Sequence, residues 1–390
     1  TAQDGSGVRS AETVVVSSAI EAGNPDLETA RARGVPVRHR AQVLADLLRR
    51  RKVAAVAGTS GKTTVTGMLG WILERAGRDP TVVNGGGVLN WTAPDRVSSV
   101  RRGAGEWAVV ETDESDRSLL EFEPTLAVVT NISADHFSEP EVEELFRRFA
   151  ARVRSVLVAG AGIGRRLGRP AARVIEAAPD GDVRAEGGKV QFRWRGEPFE
   201  LAMVGAHNAL NATLAAAAAA ELGVTPAESA AALRCFRGIE RRMEPTGTCG
   251  GAIVFDDYAH NPAKIRAAWL AAREVGAPVL GVWRPHGFGP LERMMDELVE
   301  AWCAVVRPQD RLWLLPVYYA GGTAGGRANS EELTQRLRAS GVPASLAADI
   351  EHLEAEIRAA VQPGGVVVVM GARDPALPLL ARRLGGCGVR

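Results

Sequence analysis

Lysine is scarce in this chain: Lys52, Lys62, Lys189 and Lys264 are the only four among 47 basic residues. A surplus of either charge sign is missing too, since 46 acidic residues leave a formal net charge of +1. Nucleic acid and anionic membrane surfaces are recognised through clustered excess positive charge, so neither is an expected partner. The cysteines are few and widely spaced (Cys235, Cys249, Cys303 and Cys387), with no CxxC pair. That excludes a disulfide framework or a cysteine-based zinc site and fits a reducing cytoplasm. No apolar run is long enough to span a membrane, and the opening TAQDGSGVRS lacks the apolar core of a signal peptide. Internal repeats are absent, and the alanine run Ala215 to Ala220 reads as a closely packed helix rather than disorder.

What is present points to catalysis on a nucleotide. With 390 residues and 46% hydrophobic content, the chain can build two to three domains with buried cores. The stretch VAAVAGTSGKTTVT (53–66) reads as strand, small-residue loop and helix. Gly58, Thr59 and Gly61 let the loop turn backbone N–H groups toward an anion, and the following helix adds a partial positive charge. Lys62 and Thr63 can then serve a terminal phosphate and Mg²⁺, with Thr64 completing GKTT. The generic GxxxxGK[ST] signature would need glycine at Val56, so the match is to the tighter GTxGKTT form. In a chain that otherwise uses arginine, lysine at 62 is itself a signal, because a compact, flexible ammonium suits a phosphate-cradling loop better than a planar guanidinium. The plain alternative is a glycine-rich turn without a ligand.

Downstream, apolar strands and helices alternate. Trp107–Val110 runs into Glu111, Leu126–Val129 into Thr130 and Asn131, and Val156–Val158 into Ala159, as buried parallel strands do when they open on a ligand crevice. Residues 181–203 read as a β-hairpin insertion turning at Gly196-Glu197. A second alternation begins near 246, with strands at 252–256, 279–283, 311–317 and 366–370 and helices near 262–275, 290–306, 330–340, 350–361 and 375–384. GTCGG at 247–251 reads as a hinge or turn. Residues 1–48 carry a strand candidate at 13–16, helix and strand signals at 26–38, and a helix whose basic end, 49–52, faces solvent. The expected fold class is therefore α/β and multidomain: a P-loop unit at 49–243, a doubly wound unit at 244–390, and at 1–48 the latter half of a further domain.

Several polar clusters sit at strand ends. Glu111, in VVETDESD, stands where Mg²⁺ wants a carboxylate, or else belongs to an acidic solvent loop. His136, beside Asp135 in TNISADH, is a ligand, a proton handler or part of a polar loop. Asn208 and Asn211 in GAHNALN can read an adenine edge or cap the helix they open. FRGIERRM (236–243) and DDYAHNP (256–262) bring arginines near a domain junction and aspartates to a strand end, for phosphoryl stabilisation and ribose hydroxyls or for structural salt bridges.

Taken in order, AGTSGKTT (57–64), ETDESD (111–116), TNISADH (130–136), GAHNALNA (205–212), FRGIERRM, DDYAHNP and RPH (284–286), together with VVVSSAI (14–20), resemble the Mur ligase family. These are ATP-dependent amide ligases of peptidoglycan precursor assembly. Within it the chain is most similar to members that add L-alanine or reattach a recycled murein tripeptide. The resemblance implies three domains, a partial N-terminal Rossmann-like domain of the UDP-sugar type at 1–48, a central P-loop ATPase domain at 49–243 and a C-terminal Rossmann-like domain at 244–390, with ATP and Mg²⁺ as cofactors. The implied substrates are a small-molecule carboxylate acceptor of the UDP-sugar type and an amino acid or peptide. It further implies that Lys62 and Thr63 hold phosphates and Mg²⁺, Glu111 and His136 position metal, and Asn208 and Asn211 face adenine. Arg242 would meet the γ-phosphate, Asp257 the nucleotide, His260 the reacting centre and His286 the substrate. Three departures bear on specificity. The sequence starts after the family's N-terminal glycine-rich strand-turn-helix; Ser60 replaces a histidine usual in alanine-adding members; and Gly287 replaces the arginine that follows their PH pair. No lysine lies between Lys62 and Lys189, so the modified metal-bridging lysine of later pathway ligases is absent, as in the alanine-adding branch. Two function classes remain open, a working ligase and a non-catalytic ATP-binding relative. Turnover that depends on both acceptor and amine separates them.

Overall fold

The computed structural model describes residues 3–18, 20–93, 96–133, 138–318 and 329–386. Two units form. Residues up to Gly85, Ser99–Ala178 and Leu210–Ala232 make the first; Gly86–Ser98, Pro179–Ala209 and Leu233 onward make the second.

In the first unit a seven-stranded sheet runs in the order Val100–Arg101, Thr81–Val83, Trp107–Glu111, Lys52–Ala57, Leu126–Val129, Val156–Gly160, Arg173–Ala177. Neighbours are parallel except at the Val100–Arg101 edge. Lys52–Ala57 lies at the centre with Ala54 to Ala57 fully buried, which explains its unbroken apolar run: both faces of a central parallel strand are covered. The register pairs Val56 with Glu111 and Ala57 with Val129. Gly58, Glu111 and Thr130 therefore leave the sheet at one level, beside the strand where the order of succession reverses, the usual place for a ligand crevice. The helix Glu139–Ala150 covers one face through Val142, Leu145, Phe146 and Phe149, an i, i+3, i+4, i+7 stripe. Each of these side chains contributes roughly 1.5–3 kcal/mol by burial.

The N-terminal part of this unit pairs Val14–Val16 with Val37–His39 in parallel. Asn24 caps the helix Pro25–Arg33, Pro25 opens it, and Gly34 closes it with φ 69°. The next helix, Arg40–Leu47, ends earlier than its composition suggests. Lys52 is already the first residue of the central strand, its N–H donating to the Glu106 carbonyl, so sheet pairing overrides helical propensity. Arg51 is not a solvated helix end either; its guanidinium donates to the Gly103 and Gly105 carbonyls.

The second unit holds a six-stranded sheet in the order Glu244–Cys249, Ala252–Asp257, Val366–Met370, Val279–Trp283, Arg311–Leu314, Ala344–Leu346. Only the first pair is antiparallel. The stretch at 247–251, expected as a hinge or turn, is the end of that first strand and the hairpin turn that follows it. The glycines there mask a strand that pairs with the very next one, Ala252–Asp257. The helix expected near 290–306 is two, Phe288–Arg293 and Met295–Val305, and the strand expected at 311–317 stops at Leu314. Trp269, Trp283 and Trp302 meet edge to face in the core, with Trp302 centred 5.3 Å from Trp269 and 6.3 Å from Trp283. The hairpin insertion is present as Lys189–Trp194 and Glu197–Leu201, joined on its other side by Arg184–Glu186. Its turn falls one residue earlier than expected. Glu197 pairs with Trp194, leaving Arg195-Gly196 as the two turn residues, with φ 50° and 76° as a type I′ turn requires. Among the described residues no helix is long and apolar enough to cross a membrane.

Candidate functional site

The predicted site residues fall into two groups, one in each unit. In the first, the loop after Lys52–Ala57 is braced by the strand end next to it. Thr130 Oγ1 donates to the Ser60 carbonyl at 2.6 Å and Asn131 Nδ2 to the same oxygen at 2.9 Å, while the Ser60 N–H donates to Asn131 Oδ1 at 3.0 Å. Thr59 shares two 3.0 Å hydrogen bonds with the Ser133 backbone. Gly58 is required by this closeness: at φ 135°, a Cβ would run into Thr130 Oγ1 and lie 3.0 Å from the Thr130 nitrogen. Gly61, at φ 83°, caps the helix Lys62–Arg75, and a Cβ there would sit 2.5 Å from Asn211 Oδ1. The loop thus turns into a helix N-terminus with its first-turn N–H groups free of a side-chain cap, the arrangement that receives phosphate.

Lys62 Nζ donates to the Gly58 carbonyl and to Glu114 Oε2, both at 2.7 Å. Burial pushes the Glu114 carboxyl above its usual range, with Lys62 opposing the shift. Thr63 Oγ1 donates to Glu111 Oε1 at 3.0 Å, and the Gly85 N–H donates to Glu111 Oε2 at 2.7 Å. Thr64 is buried behind them. A hydroxyl and a carboxylate side by side at a phosphate loop are the hard oxygen donors Mg²⁺ takes, so these residues fit that ion. His136 lies outside the described residues. Asn211 is buried against Gly61. In the second unit, Asn208 is buried and its Nδ2 donates to the Val204 carbonyl at 2.8 Å, fastening the start of the helix His207–Glu221.

The other group surrounds the end of Ala252–Asp257. Both Asp257 oxygens accept backbone N–H groups, from Met243 at 2.8 Å and Ala259 at 2.7 Å, so this carboxylate pins the FRGIERRM segment to the strand end; burial raises its pKa. Arg241 donates to Asp256 Oδ2 at 3.2 Å and to the Gly371 carbonyl at 2.6 Å. Burial pushes the Asp256 carboxyl up to about 7 despite that arginine. The Arg241 and Arg242 guanidiniums lie 5.0 and 5.4 Å from the Tyr258 ring centre, within cation–π range. His260 Nδ1 is 2.9 Å from the Tyr258 carbonyl, which only a protonated Nδ1 satisfies, so Nε2 keeps its lone pair. Burial, then Lys264, push the His260 pKa down to about 4, leaving a neutral imidazole at neutral pH. His286 packs edge-on against it, ring centres 5.4 Å apart, and burial lowers its pKa as well. Asn261 and Pro262 open the helix Pro262–Val275, with Asn261 Oδ1 accepting the Lys264 N–H at 2.9 Å.

Arg241 and Asp256, which the sequence offers for phosphoryl and ribose contact or for a structural salt bridge, make the salt bridge; the sequence gives no role to Glu114 and does not mark Thr130 and Asn131 as braces of the loop. Their signal is positional: Glu114 stands three residues beyond Glu111 in ETDESD, and Thr130-Asn131 ends the strand beside the phosphate loop.

A phosphate loop on a switch-point strand, a hydroxyl–carboxylate pair beside its lysine and a second doubly wound unit define a nucleotide-dependent α/β enzyme. Comparisons with known proteins narrow that class. Family models match as "Mur ligase family, catalytic domain" over residues 3–52, "Mur ligase middle domain" over 56–146 and "Mur ligase, glutamate ligase domain" over 241–373. Curated relatives include a UDP-N-acetylmuramate–L-alanine ligase of Dinoroseobacter shibae, 38% identical over 95% of this chain and 83% of its own length. Another, of the same name, from Azorhizobium caulinodans is 38% identical over 93% and 82%. Among solved structures, the UDP-N-acetylmuramate-alanine ligase of Thermotoga maritima aligns with a TM-score of 0.76 at 25% identity, over 96% of this chain and 84% of that one. A murein peptide ligase of Psychrobacter arcticus shares the fold with a TM-score of 0.67 at 23% identity, over 97% and 86%. The chain belongs to the Mur ligase family and is an ATP-dependent amide ligase.

Proposed function

We propose that this enzyme joins L-alanine to the carboxylate of UDP-N-acetylmuramate, forming ADP and phosphate, and that it works in the cytoplasm, where nucleotide sugars are made. The supporting observation is the extent of the likeness to curated ligases of that name, 38% identity across 83% of the relative. The proposed division is 1–48 for acceptor binding, 49–243 for ATP and 244–390 for the C-terminal side of the reaction.

In this reading Gly58, Thr59, Gly61 and Thr64 shape the cradle, Lys62 meets the terminal phosphates, and Asn208 and Asn211 face adenine. Asp257 meets the nucleotide from the C-terminal side. Thr63 and Glu111, with His136, would hold Mg²⁺, which when bound neutralises phosphate charge. An acceptor carboxylate oxygen attacks the γ-phosphorus and ADP leaves. Arg242 stabilises the charge in transit. The resulting acyl phosphate has a good leaving group where the carboxylate had none; the amine attacks its carbonyl carbon, and inorganic phosphate departs. The uncharged His260, with Nε2 open, accepts a hydrogen bond from the incoming amine, and His286 lines the amino-acid side.

A second reading keeps the chemistry and changes the amine to a peptide. It rests on Gly287, which at φ 75° carries no side chain where alanine-adding members place arginine. The test is coupled ADP release with UDP-N-acetylmuramate and each common amino acid or murein tripeptide in turn. The first reading expects turnover only with acceptor and L-alanine together; ADP release without any acceptor rejects the ligase assignment.

A further inference from the structure

Glu114 is a carboxylate that the reaction scheme leaves without a task. It lies in the acidic loop after Trp107–Glu111, is 3% exposed, and accepts from the Lys62 ammonium at 2.7 Å. A second bond, from Lys62 Nζ to the Gly58 carbonyl at 2.7 Å, draws the same ammonium back over its own loop. A buried carboxylate is costly to keep, and hydrophobic burial gains nothing from it, so its retention beside the phosphate-loop lysine calls for an electrostatic reason. The loop that carries it is well anchored. Glu111 is fastened to Thr63 and the Gly85 N–H, and Asp116 accepts the Ser118 N–H at 2.9 Å and the Arg40 guanidinium at 3.3 Å. Two anchors flanking Glu114, one at the phosphate loop and one at the N-terminal segment, hold its carboxylate at a fixed place rather than letting it follow the lysine.

We infer that Glu114 is a positioning residue that occupies the Lys62 ammonium in the nucleotide-free enzyme and yields it to the arriving phosphate. It stands in for the phosphate charge, keeping Lys62 extended along the loop and ordered before ATP binds. The inference rests on the reading that Lys62 binds nucleotide phosphate. One consequence follows from the charges alone. Nucleotide must break an existing ion pair to gain Lys62, so the pair weakens binding.

The experiment measures the Kd of ADP by isothermal calorimetry in the wild type, Glu114→Gln, Glu114→Asp, Lys62→Ala and the Lys62→Ala/Glu114→Gln double variant, each first shown by circular dichroism to be folded at the assay temperature. Removing a charge-assisted hydrogen bond that competes with the ligand should tighten ADP binding by about tenfold in Glu114→Gln. Glu114→Asp keeps the charge and should return the affinity toward wild type. In the Lys62→Ala background the same Glu114→Gln change should alter ADP affinity by less than about twofold, since the competed group is gone. A merely structural glutamate predicts weaker or unchanged ADP binding in Glu114→Gln, and either result overturns the inference. Lys62→Ala binding ADP as tightly as wild type would instead remove the underlying reading of the phosphate loop. Loss of binding in Lys62→Ala, with Glu114→Gln unchanged from wild type, rejects the role of Glu114 alone.

Discussion

Substituting alanine at Gly58 tests how the phosphate loop is held. The residue has φ 135°, a region essentially reserved for glycine, and a Cβ would collide with Thr130 Oγ1 while lying 3.0 and 3.1 Å from the Thr130 and Asn131 nitrogens. The backbone alone costs about 1–3 kcal/mol, and the collision brings the total for Gly58→Ala to roughly 3 kcal/mol. Thr130→Ala removes one hydrogen bond to Ser60 and a buried methyl, about 2 kcal/mol in all. The two effects are not independent, because deleting Thr130 Oγ1 opens the space that the introduced methyl needs, although the backbone nitrogens remain close. The double variant should therefore be about 1 kcal/mol more stable than the sum of the singles predicts. Urea denaturation of the four proteins measures this, and ADP binding by the same four reports whether the loop keeps its shape. Strict additivity, or a Gly58→Ala protein within about 0.5 kcal/mol of wild type, would refute the claim that close approach to Thr130 fixes the glycine.

Two further predictions concern the second unit. His260 has its pKa lowered to about 4, so between about 4 and 6.5 the unfolded chain binds more protons there than the folded one, and stability falls as pH falls through that window. Asp256, pushed up to about 7, acts in the opposite sense: the folded chain holds its proton longer, and stability falls as pH rises between its unfolded and folded values. Denaturation at a series of pH values should show a steeper rise from pH 4 to 6.5 in Asp256→Asn and a shallower one in His260→Gln. Asp310 is fully buried beneath a two-point pair with Arg273 and also accepts the Val279 and Arg307 N–H groups at 2.9 and 2.8 Å. Asp310→Ala strands a half-buried guanidinium and two N–H groups, and should cost about 3 kcal/mol by urea denaturation.

Much of this was legible in the sequence because local chemistry and fold agree there. The phosphate-loop strand, the helix opened by Asn261-Pro262 and the strands Val279–Trp283 and Val366–Met370 carry patterns that need no distant information. What escaped either lacks an apolar pattern of its own or is set by contacts farther along the chain. The strand Glu244–Cys249 is hidden by its glycines and made by pairing with Ala252–Asp257, while Ala344–Leu346 is a three-residue edge that exists only against Arg311–Leu314. In the site, Lys62 announced itself by rarity, but its carboxylate was one of several acids in ETDESD, and nothing in the spacing says that Glu114 rather than Asp113 reaches it. Likewise, that Thr130 and Asn131 brace the loop follows from adjacent strand order, which a linear reading does not supply.

The central claim is that the acceptor carboxylate is phosphorylated before the amide forms. An acceptor carrying ¹⁸O in both carboxylate oxygens, incubated with ATP, Mg²⁺ and L-alanine, tests it directly. The account predicts one ¹⁸O atom in each inorganic phosphate released, detected by the isotope shift in ³¹P resonance. Unlabelled phosphate formed alongside the amide product would contradict it.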